Sequence, residues 1–167
     1  MEVREAVKAS TKYRVECYGP DGVLKWVEEF PNLVTTAGKN ALVTNTFKTI
    51  PGSVSWFVGL VDNAGFSAYA AADTMASHAG WAEGTPYSNA NRPTWTPGTV
   101  SGGSVDNSAS KAVFTINATL TVRGCFLTDS NTKGGTTGTL YGAGDFAASR
   151  AVVSGDTLNV TVTPSVS

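Results

Sequence analysis

The sequence predicts an all-β domain: an antiparallel two-sheet sandwich of jelly-roll-like form, with one or two short helices. The first observation is the stretch from Lys111 to Arg123, in which almost every second residue is apolar. Successive side chains of a strand point to opposite faces, so this period of two buries one face and exposes the other. The second is the same alternation at Leu158, Val160 and Val162. The third is composition: only 15% of residues are charged and 18 are glycine, which suits strands joined by polar loops.

The chain length indicates one domain. A chain of 167 residues is long enough to bury a core without disulfides or metals. Residues 1–12 carry mixed charges and no clear period, so we predict an N-terminal arm there, either frayed or ordered against a partner. Residues 13–167 are then a single β-sandwich domain.

The first half of the chain predicts a hairpin, a helix and a buried strand. Gly19-Pro20-Asp21-Gly22 is a turn sequence between two strand-like runs. Thr35 or Thr36 can cap a short helix that runs to about Phe47 and whose apolar side is expected to be Ala37, Ala41, Leu42, Val43 and Phe47. Ser55 to Val61 is apolar on both faces, typical of a central strand, and Gly59 within it indicates a bulge or a close neighbour. The alanine-rich stretch from Tyr69 to His78 is expected to hold a helical turn.

The second half predicts most of the sandwich. Lys111 to Arg123 is expected to be one long strand, followed by a surface loop from Asp129 to Gly138. Leu140 to Phe146 is spaced by glycines and is expected to be short or bulged. The turn at Ser154-Gly155-Asp156 is expected to join the two arms of a closing hairpin. Seven to nine strands follow in all, and a jelly-roll-like sandwich is their natural closure.

Charge and hydropathy bear on the possible partners. The formal net charge is −1, so nothing steers the chain toward nucleic acid or an anionic membrane. No apolar run is long enough to span a bilayer, and no basic start precedes an apolar segment. We therefore expect a protein that is made and folded in the cytoplasm.

The residues of known catalytic sites do not assemble in this sequence. His78 is the only histidine, and it is better explained as a hydrogen-bonded loop residue than as a catalytic group. Glu28 and Glu29 are adjacent on a strand and so face opposite sides. The aspartates stand in turn sequences without a calcium-loop pattern. We expect no enzymatic activity, no cofactor and no bound metal. Cys17 and Cys125 fit no paired motif and are expected to be buried and reduced.

The irregular stretch from Gly80 to Gly103 is the candidate partner-binding region. It places Trp81, Tyr87, Arg92 and Trp95 among prolines. Tryptophan, tyrosine and arginine dominate interface hot spots, so these four residues are the predicted contact residues. The alternative is that the stretch folds over its own core. Trp56 and the other aromatics could also form a platform on which a sugar stacks.

Several segments resemble a family of small structural proteins encoded by tailed bacteriophages. The resemblance spans nearly the whole chain, from about Tyr13 to Thr163. It is carried by six segments: Asn32–Gly38, Trp56–Val61, Asp73–Trp81, Ser104–Phe114, Gly135–Gly142 and Val153–Val162. The family is that of capsid decoration, or cement, proteins of jelly-roll type. It has no catalytic motif, so the resemblance transfers no site residue.

The resemblance implies a structural virion protein on the outer surface of the capsid. Its expected partners are the major capsid protein and further copies of itself, in a dimer or trimer, and it is expected to stabilise the shell. The alternative is a receptor- or carbohydrate-binding module of a tail fibre or spike, which the same fold could also serve. Tail spikes usually carry a long fibrous segment, and this chain has none, which favours the capsid.

Overall fold

We describe the fold from a computed structural model that covers residues 8–48 and 54–167. Ten strands and one helix follow in chain order over these ranges. They are β1 (Ala9–Tyr18), β2 (Leu24–Pro31), β3 (Leu33–Val34), α1 (Thr36–Phe47), β4 (Trp56–Asp62), β5 (Ala82–Gly84), β6 (Thr94–Trp95), β7 (Ala112–Thr115), β8 (Leu120–Thr128), β9 (Leu140–Val152) and β10 (Thr157–Val166).

The strands form two antiparallel sheets packed face to face. Sheet A has the order β2-β1-β10-β7. Sheet B has the order β3-β9-β8-β4-β5, and β6 also pairs with β4. Alternate residues of facing sheets are buried between them, which is why the period of two in the sequence was informative. The predicted all-β sandwich is confirmed.

One core lies between the sheets. The predicted interior residues are all buried in it: Phe114, Ile116, Leu120, Val122, Leu158, Val160 and Val162. Trp56 packs against this core, as predicted. Tyr13, Val15 and Cys17 of β1 complete the layer from sheet A, opposite Val58 and Leu60 of β4. The alternating apolar positions are therefore the positions that hold the sheets together.

The stretch from Lys111 to Arg123 is not one strand, as the sequence predicted. β7 ends at Thr115 in sheet A, and β8 begins at Leu120 in sheet B. The exposed residues 117–119 carry the chain across the edge of the sandwich. Ile116 and Leu120 are both buried in the core, and Ala118 between them is apolar although it is exposed, so the apolar alternation of the sequence continues through the crossing. For this reason the sequence pattern did not reveal the break.

The closing hairpin is a second correction. β9 and β10 flank the turn at Ser154-Gly155-Asp156, but β9 pairs with β8 and β3, whereas β10 pairs with β1 and β7. The turn therefore joins the two sheets. β9 is also 13 residues long, although Leu140 to Phe146 was expected to be short. The expected irregularity is present, because the pairing register of β8 and β9 shifts twice.

The predicted helix is confirmed. Thr35 is its N-cap, and the Thr35 side chain accepts a hydrogen bond from the Gly38 N–H at 3.0 Å. Gly38 allows the helix to lie against β9, because a Cβ there would come within 2.1 Å of the Tyr141 carbonyl oxygen. The second predicted helical turn, between Tyr69 and His78, is wrong, because that segment is built of turns and bridges.

Residues 63–81 form a second, smaller core on the outer face of sheet B. Met75 and Trp81 from this segment are buried against Phe126 and Leu140, with Phe66 and Tyr69 partly buried beside them. The Asp73 carboxylate accepts hydrogen bonds from the Ala70 N–H and the Trp81 indole N–H. These bonds favour turns over a helix, because one carboxylate satisfies donors on residues 70 and 81, which are far apart in sequence.

The start of the chain differs from the predicted boundary. β1 begins at Ala9, so residues 9–12 belong to sheet A, and Lys8 and Ser167 exchange backbone hydrogen bonds just beyond it. Residues 1–7 of the predicted arm lie outside the described residues. Within the described ranges, no helix is long and apolar enough to cross a membrane.

Candidate contact surfaces

The predicted contact residues Trp81, Tyr87, Arg92 and Trp95 are all buried, none of them more than 8% exposed. Trp95 donates its indole N–H to the Val162 carbonyl at 3.0 Å, and Trp81 packs against Phe126. Their burial supports the alternative reading, in which the stretch from Gly80 to Gly103 folds over the core of its own chain. A partner could contact these side chains only after the loop had opened.

Arg92 is the centre of a buried polar network. Its Nε and Nη2 donate to the two oxygens of Glu83 at 3.0 and 2.7 Å, in a bidentate pair. The remaining donors reach the carbonyls of Ser130 and Gly135, both at 2.9 Å. The Arg92 side chain is fully buried and that of Glu83 is 8% exposed, so each charge depends on the other.

The network fixes the loop from Asp129 to Gly138 to the body of the domain. Glu83 also accepts the Gly134 N–H, and the Arg92 N–H donates to the Asn131 carbonyl. Lys133 donates to the carbonyls of Tyr87 and Asn89 and lies over the Tyr87 ring. Burial and the neighbouring Glu83 raise the pKa of the Tyr87 hydroxyl. The loop is thus held at its base while several of its polar residues stay exposed.

His78 is a hydrogen-bonded loop residue, as predicted. Its Nδ1 is 2.9 Å from the Trp81 carbonyl, which can only accept, so this nitrogen carries the proton. The imidazole also stacks on the Trp81 ring at 4.0 Å. Across the described part of the chain, no group of three or more histidine, cysteine, aspartate or glutamate residues is placed to hold a metal ion.

The two cysteines are buried and free, as the sequence predicted. Burial raises the pKa of the Cys17 thiol to about 11, and it raises the pKa of Cys125 further. A thiol must ionise to act as a nucleophile, so both are unreactive at neutral pH.

The outer face of sheet A carries alternating charges. Glu29 lies 2.6 Å from Lys12 and 2.8 Å from Arg14, and Glu16 lies 2.5 Å from Lys111 and 3.1 Å from Arg14. These cations lower the pKa of both carboxyls: Lys111 is the main cause at Glu16, and Lys12 at Glu29. Because the opposite charges pair with one another, this face has little field left to attract a charged partner.

One end of the sandwich has an open groove of about 750 Å³. We call it the end groove. One wall is the face of α1 that presents residues at helical spacing, and the other is formed where β1 begins and β10 ends. Its lining residues are Lys8, Ala9, Lys39, Leu42, Val43, Thr46 and Val166.

The end groove combines apolar surface with two exposed lysines. Val43 is 57% exposed and Val166 is 46% exposed, so both walls of the groove present apolar surface. Lys8 and Lys39 are exposed, and neither forms an ion pair with a described residue. The cations elsewhere on sheet A have carboxylate partners. The end groove therefore presents exposed apolar side chains and positive charge side by side.

A second groove, of about 330 Å³, lies on the other side of α1. We call it the helix–loop groove. It is lined by Asn40, Asn45, Trp56, Asp129 and Thr139, together with alanines of the helix and other residues. Trp56 is partly exposed, and its ring packs edge-on to Tyr141 at 5.5 Å. Amide, carboxylate and indole groups therefore meet in one shallow site.

Comparison with known proteins gives no identification, since no protein-family model and no curated protein matches this chain.

The sequence did not reveal the end groove. It assigned Val43 to the apolar side of the helix, whereas the structure leaves this side chain exposed. The missed signal is two lysines beside apolar residues: Lys39, which precedes Leu42 and Val43 in the helix, and Lys8, which precedes Ala9 at the start of β1. That pattern becomes a site only when the tight contact at Gly38 sets the helix beside the ends of β1 and β10.

Proposed function

We propose that the protein is a structural virion protein of a tailed bacteriophage, which binds the outer surface of the capsid shell and stabilises it. The observation that carries the proposal is the family resemblance of six sequence segments. They include most of strand β4, the helix cap at Thr35, the start of β9 and more than half of β10. These strands belong to both sheets, so the resemblance extends over both layers of the sandwich.

The features of the chain suit a shell-binding role. The major capsid protein presents identical neighbours in a fixed array, so contacts that are weak singly add up when the bound protein is itself a dimer or trimer. The low charge and the polar loops are typical of a surface that mates with other protein. The proposal assigns the chain no catalytic activity and no cofactor. The protein would be made in the host cytoplasm and carried on the outside of the virion.

Binding to undecorated shells tests the proposal. Purified protein is mixed with shells that lack it, the shells are sedimented, and the bound protein is quantified against a shell-free control. We expect saturable binding and a shell that withstands higher temperature when occupied. A protein that stays in the supernatant at every concentration contradicts the proposal. Light scattering of the free protein separately checks the expected dimer or trimer.

The helix–loop groove favours a second candidate function, binding of a bacterial surface glycan. Sugars are held by a stacking aromatic ring with amide and carboxylate groups at its rim, and this groove combines Trp56 with Asn40, Asn45 and Asp129. The test is tryptophan fluorescence during titration with host surface polysaccharide, comparing the wild type with Asn40→Ala. A response in the wild type that the variant lacks supports this candidate, and no response in either rules it out.

A further inference from the structure

We propose that the end groove binds a short apolar segment that carries acidic side chains, supplied by the major capsid protein. This inference rests on the proposed function and names the surface that performs it. The sequence predicted Trp81, Tyr87, Arg92 and Trp95 as the contact residues, but they are buried. The end groove is a surface that a partner can reach without opening the fold.

The end groove is lined by apolar side chains from both of its walls. Leu42 packs partly against the main core, so its position is set by the fold, while Val43 and Val166 stand exposed on the two walls. A volume of about 750 Å³ is within the range of sites that bury most of a bound ligand. Covering exposed valine and leucine surface is favourable in proportion to the apolar area removed from water. An apolar segment is therefore the natural occupant.

Two lysines, Lys8 and Lys39, line the end groove. Lys39 comes from α1 and Lys8 from the start of β1, so the positive charges come from opposite walls of the groove. An acidic side chain on the occupant would pair with them at the rim, where such pairs set register and association rate. Nucleic acid would also meet the lysines, but its phosphates gain nothing from an apolar floor. The combination selects an acidic, apolar peptide segment.

The test compares two charge reversals on the same helix. Lys39→Glu changes the groove, while Lys48→Glu makes the same change at the helix C-cap, outside the groove. We expect Lys39→Glu to weaken binding to undecorated shells by about tenfold or more at low salt, and by much less at about 0.5 M salt, where rim charges are screened. Lys48→Glu should bind as the wild type does. Val43→Asp should also weaken binding, and circular dichroism verifies that each variant folds.

A peptide probe separates this inference from the proposed function. A peptide Leu-Asp-Val-Glu-Leu with blocked ends is titrated into isotope-labelled protein, and the backbone amide chemical shifts are followed by NMR. The neutral control is the same peptide with Asn in place of Asp and Gln in place of Glu. We expect amide shifts around Leu42, Val43 and Val166, which the neutral peptide and Lys39→Glu both diminish. If shells bind the wild type and all variants equally, the end groove is not the contact surface, while the proposed function stands. If the wild type does not bind shells, the function fails, and shifts in the groove still support its preference for acidic, apolar segments. Shifts elsewhere, or none, overturn that preference.

Discussion

Replacing Arg92 with methionine tests the network that holds the Asp129 to Gly138 loop. The substitution keeps much of the buried volume but removes the charge. Glu83 then keeps only the Tyr87 hydroxyl and the Gly134 N–H as donors, and the carbonyls of Ser130 and Gly135 lose theirs. Breaking a buried ion pair by removing one partner costs about 3–5 kcal/mol. For a chain of this size that corresponds to a fall of roughly 6–20 °C in Tm.

The assay is guanidinium unfolding followed by tryptophan fluorescence, since Trp81 and Trp95 are buried and will report exposure. Hydrogen exchange adds a local readout, because the Gly134 amide should lose protection before the amides of β10 do. Arg14→Met is the matched control: it removes an arginine that is 43% exposed and should shift the midpoint much less. If Arg92→Met unfolds within about 0.5 kcal/mol of the wild type, the scatter of ordinary surface changes, the network does not hold the loop.

Three further substitutions test the core, the helix contact and the charged face. Ile116→Ala should cost about 2–5 kcal/mol in denaturant unfolding, and a change under about 0.5 kcal/mol would contradict its place in the core. Gly38→Ala should lower Tm, because the new Cβ meets the Tyr141 carbonyl; an unchanged Tm would show that α1 packs elsewhere. Glu16→Gln should destabilise the protein at pH 7 but not in acid below the folded pKa of Glu16, since a lowered carboxyl pKa stabilises only while the group is ionised. Equal losses at both pH values in urea melts would refute this.

The sequence could predict the fold class because a strand with one buried face shows apolar and polar residues in alternation. Val15, Ile116 and Val160 alternate with polar residues for one reason, the core between two sheets. The alternation does not show how the strands are connected. At residues 117–119 the apolar alternation of the sequence runs on through Ala118, which is exposed in the structure, and Ser154-Gly155-Asp156 is an ordinary turn sequence. One continuous strand and one hairpin were therefore predicted where the chain changes sheet.

The contact surface was harder to predict, because residue type does not specify exposure. Arg92 resembles an interface anchor in sequence, yet Glu83, nine residues away, and the carbonyls of a loop about 40 residues away satisfy it within the chain. Exposed Val43 in turn resembles a core residue. Both depend on contacts between distant segments, which the pattern of a single stretch does not contain.

The most direct test of the proposed function is an image of the virion with this protein labelled. A gold-tagged antibody against the purified protein, viewed by negative-stain electron microscopy, shows where the protein sits. Virions from a phage with the gene deleted serve as the control. We expect label distributed over the outer surface of the head. Label confined to the tail fibres or spike, or no label above the deletion control, would contradict it.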